Sequence, residues 1–425
     1  MSCLEYTQLS RRDFMVGSLK SAAGLLFGQA IMPLPQHLPR LRLANPHTGP
    51  RGDTLVCVFL RGGADGLNIV VPHGDEGYYA QRPTLALPRP DTFGTTQRVL
   101  DLDGFFGLHP ALQPLHAIYG AGDLALVQAT GSPDETRSHF EAMDMMERGA
   151  VPGEYTGWLA RHLSTLDTGN GSALRAVSVG DILPMSLAGA LSATALESIA
   201  DYHLQGTAER RGEMQSLLAA LYAQQGDILS TAASQTFAVL DVLSKIDTAS
   251  YRAVGRGYGE RPFGQALQTT AQLIKAEVGV EVACVDLGGW DTHVGQGATE
   301  GPMARLLAEL GEGLAAFHED MGPHMGNVTV MVMSEFGRRV KENAGLGTDH
   351  GHGNMMMLLG GGIAGGRVYG QWPGLHTDQL VGPGDVGITT DYRHVLAEVL
   401  RQRLNNPATA DIFPNFAIQE LGLTR

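Results

Sequence analysis

Cysteine is scarce: the 425-residue chain has three, at Cys3, Cys57 and Cys284, too few for a disulfide-built scaffold. Cys57 and Cys284 lie inside apolar runs, so buried thiols in neighbouring strands are expected rather than a bridge. Basic residues are also few, 30 against 44 acidic ones, for a formal net charge of −14. Such a chain repels phosphate backbones and anionic lipid, which excludes nucleic acid and a charged membrane surface as partners. No apolar run reaches the ~20 residues that cross a bilayer, so no stable membrane span is expected. Aromatic residues make up only 6%. What the chain does have is 56 glycines and a 43% apolar content, enough for a large core in one elaborated domain or two.

The first residues read as an address. Ser10-Arg11-Arg12-Asp13-Phe14-Met15 pairs two arginines ahead of bulky apolar residues, as twin-arginine export signals do. The run 16–32 is moderately apolar but interrupted by Gly17, Lys20, Gly24, Gly28 and Gln29, which suits a signal core better than a span. Residues 1–44 are therefore taken as signal and linker, with cleavage after Ala30 or Ala44 both open. The export machinery is then a partner, and the destination is periplasmic or secreted. Losing that segment removes five basic and two acidic residues and leaves a mature chain of about −17.

Continuous Val/Leu/Met-rich runs at 54–60, 124–129, 174–179, 281–287, 328–333 and 355–359 have the character of strands buried on both faces. Amphipathic stretches at 262–276 and 302–321 lie between some of them. The alternation predicts an α/β fold, a three-layer α/β/α sandwich with a mainly parallel sheet, over residues 52–425. Residues 190–258, rich in Ala, Leu, Gln and Ser, read as a helical insertion.

Chemistry-bearing residues cluster after these runs. Gly347-Thr348-Asp349-His350-Gly351-His352-Gly353 packs one carboxylate and two imidazoles into a glycine-rich turn. Surface turns rarely need that combination, whereas divalent cations take carboxylate oxygen and neutral imidazole nitrogen. Gly289-Trp290-Asp291-Thr292-His293, the Asp65 turn and Glu335 repeat the pattern. In parallel sheets, such loops gather at the carboxyl ends of the strands. The candidate metal ligands are Asp65, Asp291, His293, Glu335, Asp349, His350 and His352, expected to meet at one rim of the sheet. Ser138, where a helix should start, is the candidate nucleophile, with Arg137 and His139 to orient an oxyanion or move a proton. Ser138 equally fits a plain N-cap, with Glu141 completing a capping box.

Phe59-Leu60-Arg61-Gly62-Gly63-Ala64-Asp65-Gly66-Leu67-Asn68, Thr136-Arg137-Ser138-His139-Phe140, the Asp291 turn, Ser334-Glu335-Phe336-Gly337-Arg338, the Asp349 turn and Thr390-Asp391-Tyr392-Arg393 together resemble an exported bacterial family of unknown function. That family is regarded as sulfatase-like, within the alkaline phosphatase superfamily. The resemblance implies an alkaline-phosphatase-like sandwich that hydrolyses or transfers phosphate or sulfate esters on metal ions. It also casts Asp65 as a first-strand metal aspartate and Ser138 as the helix-start nucleophile. Departures are visible: Glu335 is followed by Phe336 rather than histidine, Asp291 and His293 are two apart, and no formylglycine-forming Cys/Ser-x-Pro-x-Arg setting is present. The expectation is an exported hydrolase using one or two divalent ions, zinc before manganese, calcium or iron, on a small-molecule or polymeric ester. A non-catalytic binding or assembly protein with a structural metal is the alternative.

Overall fold

Nine strands build the central sheet of the computed structural model, which describes residues 47–48, 52–204, 207–223 and 228–425. The twin-arginine segment lies outside the described residues. The strands are β1 (Thr54–Arg61), β2 (Leu124–Gly131), β3 (Ala176–Val179), β4 (Ala193–Leu196), β5 (Val282–Gly288), β6 (Val328–Met333), β7 (Asn354–Leu359), β8 (Arg367–Tyr369) and β9 (Thr390–Asp391). Their order is β8-β2-β7-β6-β1-β5-β3-β4, with β9 also paired to β2. All pairings are parallel except the two made by β7.

The sequence of β1 shows why the sheet sits in the middle. Val56, Val58 and Leu60 face one core and Leu55, Cys57 and Phe59 the other, so both pleat faces are apolar. Among the helices, α1 (Gly66–Ile69) and α2 (Glu76–Gln81) follow β1, and α3 (Gln113–Ala121) precedes β2. Next come α4 (His139–Glu147), α5 (Trp158–Thr165), α6 (Ala208–Ala223) and α7 (Ile228–Leu243). Then come α8 (Pro262–Lys275), α9 (Pro302–Met321) and α10 (Tyr392–Gln402), with a short final helix, α11 (Thr409–Ile412). Leu115 of α3, Leu267 of α8 and Leu310 and Phe317 of α9 cover the first face, while Trp158 of α5 and Val395 and Leu396 of α10 cover the second. Helices on both sides of a mostly parallel sheet make three layers. Both α8 and α9 open with proline, whose missing N–H costs nothing in a first turn.

Residues 190–258 hold α6 and α7 but also β4, which extends the sheet edge beside β3. Its sequence, Ala-Thr-Ala-Leu, is short and half-buried and carries little strand signal of its own. No helix among the described residues is long and apolar enough to cross a membrane.

Cys57 and Cys284 face each other in register on β1 and β5 as free thiols, and burial pushes both well above the ordinary thiol range. In a Cys3→Ser chain, a thiol reagent should therefore label neither residue in the native state and both after unfolding. Rapid native labelling would show that the sheet centre opens.

Candidate metal centre

Four loops reach the same edge of the sheet, because β1, β2, β5 and β6 run in one direction and the antiparallel β7 starts there. The segments after β1, β2, β5 and β6 carry Gly62-Gly63, Arg137-Ser138-His139, Asp291-Thr292-His293 and Glu335, and the one before β7 carries Asp349-His350. Close backbone contact explains two of the glycines. Gly62 has φ +119° and a Cβ there would meet the Asp291 amide at 2.8 Å, while a Cβ on Gly347 would press on the His293 carbonyl at 2.4 Å.

At the centre is one oxygen, Asp291 Oδ1. It lies 2.8 Å from an N–H of Arg338, 3.0 Å from His293 Nε2, 3.1 Å from His350 Nε2 and 3.3 Å from His139 Nε2. The ligand atoms of His139, Asp291 and His350 all fall within 4.8 Å of one another. His293 Nε2 is a further 2.9 Å from His350 Nε2.

Each ring is held from behind through its other nitrogen. His139 Nδ1 faces Glu335 Oε1 at 2.7 Å, His350 Nδ1 faces the Arg137 carbonyl at 2.8 Å, and His293 Nδ1 faces Asp349 Oδ1 at 3.2 Å. All three partners are acceptors, so each Nδ1 donates its proton. In the neutral tautomer, that leaves every Nε2 lone pair aimed at the same spot beside Asp291. Three imidazole lone pairs and a carboxylate oxygen repel one another unless a cation or protons sit among them. His139 Nε2 is one of five buried side-chain nitrogen or oxygen atoms without a hydrogen-bond partner among the described residues. Such an orphan fits a metal ligand. The residues present therefore fit a divalent ion.

The electrostatics agree. Burial disfavours charge on Asp291, but the close approach of the His139, His293 and His350 rings, when protonated, and of the Arg338 guanidinium holds its carboxyl far below the usual range. Burial likewise opposes charge on His139, yet the Asp291 and Glu335 carboxylates outweigh it and raise the ring to about 9. The hydrogen bond to Asp291 raises His293, and that from Asn343 lowers Asp349. A site that attracts protons onto its imidazoles attracts metal cations for the same reason, and the two compete for the same lone pairs.

Not every expected ligand joins. Asp65 is 1% exposed and spends both oxygens on Arg82, at 2.6 and 2.9 Å, with Gln296 donating at 2.6 Å. Glu335 stands behind His139, its Oε1 also accepting from the Gly62 and Gly63 amides at 2.8 and 2.9 Å. Asp349 stands behind His293, and His352 turns to the Ser132 carbonyl at 3.0 Å. Asp291, His293 and His350 do converge, and His139 joins them. Ser138 is the residue before α4, but its hydroxyl does not cap the helix, and Glu141 pairs with Thr136 instead of completing a capping box. Arg137 is tied to the buried Asp385, with its Nε unpartnered.

Sequence reasoning missed Arg82, Gln296 and Asn343. Arg82 is a lone arginine after a short helix, and nothing local marks it as Asp65's partner. Asn343 donates to Asp349 and the His293 carbonyl and accepts from the Gly345 and Gly347 amides, and so shapes the loop. Arg338, fully buried, donates to the Gly63, Thr348, Gly62 and Trp290 carbonyls as well as to Asp291.

Residues 53–403 match the family described as "Protein of unknown function (DUF1501)". The chain belongs to this family. A search of curated proteins finds no match. Among solved structures, this DUF1501 chain is similar to the PsFucS1 sulfatase from Pseudoalteromonas sp., with 12% identity, 88% of this chain and 74% of that one covered, and a TM-score of 0.39. It is similar to the zinc complex of the C-terminal periplasmic domain of EcEptC from Escherichia coli at 8% identity, 74% and 77% coverage and a TM-score of 0.30. Alkaline phosphatase from the Antarctic bacterium TAB5 matches at 9% identity, 73% and 91% coverage and a TM-score of 0.28.

Replacing Arg82 by methionine strands the Asp65 carboxylate in a buried site and should cost about 3–5 kcal/mol, read as a lowered urea midpoint. Adding Asp65→Asn should recover most of that loss. A cost under about 1 kcal/mol would mean that the pair behaves like an exposed one.

Proposed function

We propose that this chain is an exported, metal-dependent hydrolase of phosphate or sulfate esters, with zinc held by His139, Asp291 and His350 and His293 beside them. The observation that carries the reading is the bracing of three imidazoles through Nδ1, which leaves three Nε2 lone pairs on one carboxylate oxygen. Imidazole-rich ligation favours zinc over harder ions. The group is also reachable, since the side chains of Asp291 and His293 are 33% and 32% exposed. A purely structural ion would be walled in.

When bound, a divalent ion supplies Lewis-acid stabilisation of charge on the ester oxygens. The chain's residues supply the rest. The Ser138 hydroxyl, free of capping duty at the start of α4, is the nucleophile, with the helix dipole favouring the developing negative charge. Its Oγ bonds to phosphorus or sulfur as the ester P–O or S–O bond breaks, and its proton passes to solvent. The departing alkoxide takes a proton from water, and a second water hydrolyses the Ser138 ester to free phosphate or sulfate. Arg137, anchored by Asp385, adds positive charge beside it. Glu335 and Asp349 keep the rings of His139 and His293 in the binding tautomer. Export by the twin-arginine route, to the periplasm or beyond, belongs to the same proposal and is supported by Arg11-Arg12 ahead of the interrupted apolar run.

A second reading has one specific observation in its favour. If His293 binds together with His139, His350 and Asp291, four protein ligands close a tetrahedral zinc, as in structural sites. The chain would then be a binding or assembly protein.

Elemental analysis of protein exported by its own host, coupled to a phosphomonoester, phosphodiester and sulfate-ester screen, separates the two. The hydrolase reading expects bound zinc lost in His350→Ala, a zinc affinity lowered about 10–100-fold in Glu335→Gln, and turnover abolished in Ser138→Ala with metal retained. Metal-free wild-type protein, or zinc with no turnover of any ester class, would sink it.

A further inference from the structure

The geometry points to an apolar collar around this centre, selecting esters whose anionic head carries an aryl or similarly flat apolar group. The inference rests on the proposed ester-cleaving site and adds its substrate class. Thirteen large apolar side chains are exposed among the described residues, and three of them lie on the segments that carry the cluster, with a fourth beside its anchor. Phe140, 60% exposed, follows His139; Val294, 75% exposed, follows His293; Leu346, 55% exposed, lies three residues before Asp349. Val381, 41% exposed, bridges to Asp385, the carboxylate that anchors Arg137. Scattered exposed apolar residues need no explanation; these four stand out because each is next to a residue of the cluster, its loop or its anchor.

These side chains are presented, not left over. Leu346 has φ +57°, a left-handed backbone that disfavours any residue with a Cβ and that glycine or asparagine would adopt more readily. It is held there by its carbonyl, which accepts from the Gln296 amide at 2.9 Å, and by its amide, which donates to the Asn343 carbonyl at 3.1 Å. Its neighbour Gly345 accepts from the Gly295 amide at 2.8 Å, and a Cβ on Gly345 would lie 3.4 Å from Val294 Cγ2, so the Leu346 and Val294 loops are laced together. Asn343 ties the same loop to His293 and Asp349. Backbone outliers of this kind cluster at active sites and ligand clamps, and this one presents an exposed leucine beside a metal-type cluster. Inside the collar the floor is apolar as well: Phe336 stacks on His139 with ring centroids 4.9 Å apart and lies as close to His350. The anionic head is met by the cluster and Arg137, and the apolar remainder by the rim.

Calorimetric binding of phenylphosphonate and methylphosphonate to the zinc-loaded full chain tests this, since the two share a head group and differ by the ring. Phenylphosphonate should bind about 10-fold tighter, equivalent to about 1.4 kcal/mol. In Phe140→Ser/Val294→Ser the ratio should fall to about twofold or less while methylphosphonate affinity and zinc content hold. Leu346→Asn should narrow the ratio while leaving the melting temperature unchanged or raised, an outcome that a merely structural leucine would not give. Equal binding of the two ligands, no binding of either, or a ratio untouched by the variants overturns the collar. Esters turned over without regard to the ring would end the collar and spare the hydrolase. Ring-selective binding with no ester cleaved would end the hydrolase and spare the collar.

Discussion

Everything at this sheet edge depends on one tautomeric constraint. Glu335, the Arg137 carbonyl and Asp349 each take the Nδ1 proton of a different histidine, and so turn three Nε2 atoms toward Asp291. The braces come from two loops, the one joining β6 to β7 and the one after β2, and hold rings carried by three segments, so the fold has to be complete before the set works. Local chelation by a flexible peptide would not need this. Preorganisation of this kind lowers the entropy lost when a cation enters, and it prevents the rings from finding other partners.

Fixed guanidinium charge is the second organising element. Arg82 neutralises Asp65 in a pocket closed to solvent, and Arg338 spreads its donors over four carbonyls before reaching Asp291. Each is buried, hydrogen-bonded and paired, the condition under which an interior charge is tolerated. Arg338 joins the loops after β1 and β5 to the Thr348 loop, and Glu335 joins the β1 loop to α4. The site's geometry and the packing of the sheet edge are thus the same set of interactions. A substitution that loosens one loosens the other.

The sandwich was legible because its signals are local and redundant. Runs such as Thr54–Arg61 and Val328–Met333 are apolar on both faces, and α8 and α9 announce themselves with proline starts and helical spacing. β4 was not legible, since four half-buried residues at a sheet edge owe their state to the neighbour they pair with. In the site, Asp291, His293 and His350 could be named from density of ligand-type residues alone. What such density cannot show is direction: Asp65 and His352 have the right chemistry and the right strand ends, yet one points to Arg82 and the other to a backbone carbonyl. His139 shows the converse, a residue marked only by its place at a helix start whose ring completes the cluster. Partner choice across more than 200 residues, as between His139 and Asp349's neighbour His350, is a property of the sheet order and not of any motif.

Anomalous diffraction at the zinc edge from crystals of the exported protein tests the central claim most directly. The account predicts a single strong peak among His139 Nε2, His350 Nε2 and Asp291 Oδ1, with each Nδ1 still on its acceptor. A peak lodged at Asp65 or His352, or none anywhere along this edge of the sheet after growth in zinc-sufficient medium, would contradict it.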